Sequence, residues 1–264
     1  MKNVDQKLQE ALTRIVRTLD ASGRGYCVIG ALVPRLLMLT PPTQRTRDVD
    51  VVVAATSLED VEEFMRTLLS NGYRPVAPPV RFRDESDVQV DIIPFGEAIA
   101  PGQRLVLPGD TVLRTEGLRQ ALEHAVRLEL APGLQVAVAP LPLYAMLKLS
   151  AYADRRLAKD LNGFLHCTRN YEDVDAGERR YGLEHQGSLV PLEFGGAFLL
   201  GLDGVPYHSR DLQDKLRELL GSLQGDDAPG LGEAARDAGR LPTDERWLAE
   251  CQQLIRWYRL GAEL

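Results

Sequence analysis

The chain has 264 residues, 44% of them hydrophobic, enough to bury one large core or two modest ones. A formal charge of -7 argues against a protein that coats nucleic acid without sequence preference, while a local basic cleft stays compatible with it. No apolar run is long enough to cross a membrane, and Met1-Lys2-Asn3-Val4-Asp5-Gln6 leads into a helical pattern, not a signal-peptide core, so a soluble, unexported protein with no membrane partner is expected.

Val4, Leu8, Leu12, Ile15, Val16 and Leu19 recur at three and four, one face of a helix that Gly23 and Gly25 close. The cysteines, Cys27, Cys167 and Cys251, are odd in number and widely spaced, which fits a reducing, cytoplasmic compartment and offers no zinc clip. Tyr26-Cys27-Val28-Ile29 reads as a short strand ending at Gly30, followed by a helix over Ala31 to Met38 that tolerates Pro34 in its first turn. After the turn residues Thr40-Pro41-Pro42-Thr43, the β-branched run from Asp48 to Val53 predicts a core strand. Ser57 and Asp60 form a capping box for a helix ending at Asn71-Gly72, and Asp87 to Ile93 predicts another strand of the same sheet. Ala125 to Leu130 and Leu134 to Ala139 flank Pro132-Gly133 as a hairpin.

From Leu143 the pattern becomes helical, with helices expected over Leu143 to Leu165, Leu212 to Leu223 and Trp247 to Leu260, and a Gly- and Asp-rich loop over Gly225 to Gly232. The expected organisation is an α/β domain with a mixed sheet over residues 1–141, followed by a mainly helical domain over 142–264. Trp247, Trp257 and Tyr258 are read as core, and His124, His166, His185 and His208 lack metal-ligand spacing.

Asp48 and Asp50, one residue apart on a strand, share a face because side-chain direction alternates with period two. Two like charges side by side favour a divalent cation, which prefers carboxylate oxygens. Asp91 lies on a separate apolar strand, where an unpaired charge is costly. A D-x-D pair by itself serves equally as a turn cap or a solvated strand end. The order of strand, Gly30, helix, Arg-Thr loop, D-x-D strand, helix and single-Asp strand is more specific. On one long helix, Lys148, Arg155 and Lys159 would fall within about 20° of a single line, opposite Met146, Leu149, Ala153, Leu157, Leu161 and Phe164. Such a stripe is either a solvated face or a set of cations for phosphate.

That order resembles the nucleotidyltransferase superfamily related to polymerase beta, with Gly30 opening the motif, Asp48 and Asp50 as its D-x-D and Asp91 as the third carboxylate. Arg45-Thr46-Arg47-Asp48-Val49-Asp50, together with Leu147-Lys148-Leu149 through Asp154-Arg155 and Lys159-Asp160, is similar to the AbiEii-like toxins of type IV toxin-antitoxin systems. The sequence departs from that pattern at Ala31, where Gly or Ser is usual, at Gln44, where Arg is common, and at Asn162, where Asp is usual.

The resemblance implies a magnesium-dependent enzyme with two ions held by Asp48, Asp50 and Asp91, moving a nucleotidyl group from a nucleoside triphosphate to a hydroxyl. It places Gly30, Ala31, Thr46, Lys148, Arg155, Lys159 and Asp160 at the nucleotide, in a cleft between the domains. The implied acceptor is an RNA or tRNA end or a protein, with an antitoxin as partner. A small-molecule acceptor of the antibiotic type is the enzymatic rival, and a non-catalytic nucleotide-binding module is the rival of another class.

Overall fold

The computed structural model describes residues 4–77, 79–107, 111–171, 176–225 and 228–263. The chain divides into two compact units, one of Met1–Leu37 with Thr43–Pro140 and one of Met38–Pro42 with Leu141–Leu264.

The first unit opens with helix α1 (Gln6–Ser22), started by the Asp5 carboxylate accepting from the Leu8 amide and ended by Gly23 in the left-handed conformation. Leu8, Leu12, Ile15, Val16 and Leu19 are all buried, as the spacing requires. There follow β1 (Tyr26–Ile29), α2 (Leu32–Leu37), β2 (Asp48–Ala54) and α3 (Leu58–Ser70), the last begun by the Ser57 hydroxyl accepting from the Asp60 amide. Next come β3 (Arg74–Val76), β4 (Arg81–Arg83) and β5 (Gln89–Phe95). A separate hairpin, β6 (Arg104–Leu107) and β7 (Thr111–Arg114), precedes α4 (Leu118–Glu123) and the expected hairpin of β8 (Val126–Ala131) with β9 (Leu134–Val138).

Seven of these strands form one mixed sheet in the order β3-β4-β5-β2-β1-β9-β8. β2 runs parallel to β5 and β1 parallel to β9, while the other neighbours are antiparallel. The fold is therefore the mixed α/β arrangement that the interleaved patterns predict. Along β2, Val49, Val51, Val52 and Val53 are buried and the two aspartates half-buried, so burial of the valines drives the strand and fixes where the carboxylates point.

The second unit contains α5 (Leu141–Arg155), α6 (Ala158–Asn170), α7 (Ala176–Arg179) and a small hairpin of β10 (Glu184–His185) with β11 (Ser188–Leu189). After these come α8 (Gly195–Gly204), α9 (Arg210–Ser222), α10 (Pro229–Asp237) and α11 (Glu245–Gly261). Helices α8 and α11 touch backbone to backbone, since a Cβ on Gly201 would lie 2.2 Å from the Tyr258 carbonyl oxygen and one on Gly261 2.0 Å from that of Phe198. Tyr258 is fully buried, edge-on to Phe164 at 4.8 Å between ring centres, and Trp247 is buried with it, while Trp257 is half-buried and edge-on to Phe198.

Two helical expectations change. The single helix over Leu143 to Leu165 is broken at Arg156, whose φ of 54° ends α5, and α6 restarts at Ala158. Leu157, expected to pack inward, is 44% exposed in the break. The loop over Gly225 to Gly232 is helical from Pro229, which sits at the permissive start of α10, and Leu231, Ala234 and Ala235 bury its face. Residues 226 and 227 of that stretch lie outside the described residues. Among the described residues no helix is long and apolar enough to cross a membrane.

Candidate functional site

Strand register brings the first unit's acids together. Asp50 pairs directly with Asp91 across the parallel β2/β5 ladder, and Asp48 pairs with Gln89 two residues earlier. Across the antiparallel β5/β4 ladder, Asp91 in turn faces Arg81 and Gln89 faces Arg83. Residues opposite one another in adjacent strands share a face, so Arg81, Asp91 and Asp50 form one row and Arg83, Gln89 and Asp48 the next.

Within this ladder Asp91 is spoken for. Arg81 Nε donates to its Oδ1 and Arg81 Nη2 to its Oδ2, both at 2.9 Å, and Gln89 Nε2 adds a third bond at 3.2 Å. The pair is partly buried, with 35% of the arginine side chain and 15% of the aspartate exposed, so solvent screens it incompletely. The guanidinium is held above its usual pKa, first by the hydrogen bond to Asp91 and further by the charges of Asp91, Asp48 and Asp50, against a smaller loss from burial. The arginine thus feels all three carboxylates while bonding to one of them.

Asp48 accepts from the Thr46 hydroxyl at 2.7 Å, which orients one of its oxygens. Gly30 follows β1 with a φ of 72°, and a Cβ there would sit 2.0 Å from Asp50 Oδ2. Glycine is required at this place twice over, for its left-handed backbone and for the space that the carboxylate fills. Ala31 is half-buried in the turn between Gly30 and α2.

The donor chemistry of Asp48 and Asp50 suits a hard divalent cation: two carboxylates on one face, with backbone kept clear of one of them. Among the described residues no set of three histidine, cysteine or acidic side chains is assembled as a metal cage. Asp48 and Asp50 are the residues that could hold a cation, and Asp91 stands beside them in register with both oxygens engaged by Arg81. The sequence reading missed Arg81. Its signal was the alternation Arg81-Phe82-Arg83 just before the Asp91 strand, with Phe82 buried between the two arginines, in a strand only three residues long.

In the second unit Asp160 is completely buried and gathers two of the three expected phosphate cations. Lys148 Nζ donates to its Oδ1 at 2.9 Å, and Arg155 donates through Nε at 2.6 Å and Nη2 at 2.8 Å. Burial would raise the Asp160 carboxyl, but the Arg155 hydrogen bonds and the Lys148 charge outweigh it and hold the group below its ordinary pKa. Lys159 does not lie on their line, because the helix breaks between them; it is exposed and makes no ion pair among the described residues. Asn162 donates to the Ala234 carbonyl at 3.0 Å and to Asp237 at 2.7 Å, ties that an aspartate, having no N–H, could not make.

No protein-family model matches the sequence, and no curated protein is similar to it. Among solved structures the chain is similar to an antigenic nucleotidyltransferase-like protein from Paracoccidioides brasiliensis, at 14% identity over 83% of this chain and 89% of that one, TM-score 0.46. It is similar to a lincosamide antibiotic adenylyltransferase bound to lincomycin, at 16% identity over 54% of this chain and 84% of that one, TM-score 0.35. It is also similar to the Thermotoga maritima CCA-adding enzyme complexed with tRNA, at 15% identity over 99% and 84%, TM-score 0.27.

Proposed function

We propose that the chain is a magnesium-dependent nucleotidyltransferase of the cytoplasm, moving a nucleotidyl group from a nucleoside triphosphate to the hydroxyl of an RNA end, tRNA included, or of a protein. The observation that carries this reading is the sheet face that Asp48 and Asp50 share, where Gly30 leaves room for Asp50 and Asp91 stands opposite Asp50. Asp48, oriented by Thr46, and Asp50 hold the cation. When bound, a divalent cation neutralises triphosphate charge and lowers the pKa of the attacking hydroxyl. The hydroxyl oxygen forms a bond to the α-phosphorus, the bond to the bridging oxygen breaks, and pyrophosphate leaves with that electron pair.

Asp91 is the carboxylate assigned both to a second cation and to the hydroxyl proton, tasks for which it needs an oxygen that Arg81 has let go. In the second unit, Lys148 and Arg155 serve Asp160, and Lys159 is the cation we assign to phosphate. A role as the toxin of a pair restrained by an antitoxin rests on the motif resemblance at Arg45–Asp50 and Leu147–Asp160.

The test incubates purified protein with magnesium and each labelled triphosphate in turn, with total RNA or cell extract, beside Asp48→Asn of matched melting temperature. Label transferred by the wild type and reduced about 10³-fold or more in the variant is the expected result. Transfer undiminished in the variant would sink the assignment, and a labelled small molecule would replace the acceptor with one of the antibiotic type.

A further inference from the structure

The bond between Arg81 and Asp91 closes the one carboxylate that stands in register with Asp50. Both Asp91 oxygens accept from a single guanidinium, so a cation that needs either oxygen has to compete with a two-pronged, partly buried ion pair. The same guanidinium sits on the three-residue strand β4, with a third of its side chain open to solvent. A planar fork of donors that fits a carboxylate fits the oxygens of a phosphate equally well, and a triphosphate bound at Asp48 and Asp50 would bring such oxygens to the row where Arg81 stands. Asp91, Asp48 and Asp50 all act on this one guanidinium, so a divalent cation brought to the same carboxylates competes with it directly.

We propose that Arg81 is an exchangeable counter-ion: it closes on Asp91 while the site holds no divalent cation, and it passes to the triphosphate when a cation takes Asp91. This rests on the reading that Asp48 and Asp50 hold the cation. The exchange makes nucleotide and metal binding mutually supportive, because each supplies Arg81 or Asp91 with a new partner at the moment the old one is lost. No covalent step is involved, and Arg81 is a binding and positioning residue.

The test measures two affinities on the full chain: free Mn²⁺ by its spin-resonance signal, and a fluorescent non-hydrolysable triphosphate at saturating Mn²⁺. Wild type is compared with Arg81→Gln, Arg81→Lys and Asp48→Asn. Arg81→Gln is expected to bind Mn²⁺ alone about tenfold more tightly and the triphosphate about tenfold more weakly, the two constants moving in opposite directions. Arg81→Lys, which keeps the charge without the fork, covers the case in which the glutamine variant fails to fold; it is expected to move both constants the same way by less.

Mn²⁺ affinity unchanged or weaker in both arginine variants would overturn the proposal while leaving the cation site standing. Mn²⁺ affinity raised with triphosphate affinity unchanged would overturn the transfer to phosphate. Mn²⁺ binding indifferent to Asp48→Asn, or absent from every protein tested, would instead remove the carboxylate reading on which the proposal stands.

Discussion

Asp91 in the first unit and Asp160 in the second each take a two-pronged hydrogen bond from an arginine, yet they stand in opposite balances of charge. Asp160 is wholly buried and faces two cations, Lys148 and Arg155, so its neighbourhood carries a positive surplus. Asp91 shares its row and the next with Asp50 and Asp48, and Arg81 is the cation that feels all three. Burial with enough cations makes an ion cluster into scaffold. The acid-rich face of β2 and β5, half exposed, is instead where we propose that a cation binds.

The contrast breaks most visibly at Asp160. Asp160→Asn strands two cations against a buried amide and is expected to lower unfolding stability by about 3 kcal/mol, read from urea denaturation. Asp48→Asn and Asp50→Asn relieve repulsion and should stay within about 1 kcal/mol of wild type or exceed it. An Asp160 variant as mild as those two would put the cluster on the functional side.

Gly30→Ala sharpens the other side. The substitution demands a left-handed backbone and pushes a methyl into the Asp50 carboxylate, so a cost of about 1 to 2 kcal/mol is expected together with weakened Mn²⁺ binding. Full Mn²⁺ affinity in that variant would mean that Asp50 does not depend on the space the glycine leaves.

The smallest effect is one of pH. Because the Asp160 carboxyl is held below its ordinary pKa in the fold, its stabilising share is complete above the ordinary carboxylate value and disappears as pH falls through the lowered one. Acid titration of stability below about pH 4 should therefore show a loss in wild type that Asp160→Asn lacks. Equal slopes in the two proteins would show that the carboxylate gains nothing from its cations.

The first unit was legible where local pattern and fold agree. Asp48 to Val53 announces a buried strand through β-branched residues, and period two puts its aspartates on one face before any partner strand is known. Arg81 was not legible, because its pairing with Asp91 depends on β4 turning back against β5, and three residues are too few to establish a period. The break at Arg156 carries neither glycine nor proline; what makes it intelligible is Asp160, which both Lys148 and Arg155 reach across the break. The hydrophobic α8 escaped for a different reason. Buried on most of its circumference and rich in glycine, it shows no amphipathic stripe; its Gly201 meets the α11 backbone, while Gly195 and Gly196 lie against Arg180.

The short excursion of Met38–Pro42 bears on how the molecule can be taken apart. These residues belong to the second unit although the chain on both sides of them belongs to the first; Met38 is buried, and the Thr40 carbonyl oxygen lies 2.8 Å from His166 Nε2. No single cut separates the units, and a gene fragment ending at Pro140 encodes Thr40 without the His166 that meets its carbonyl. During synthesis the ribosome releases every strand of the large sheet before it releases α6, so this stretch must wait between the glycine turn and the aspartate strand until the helix that carries His166 emerges.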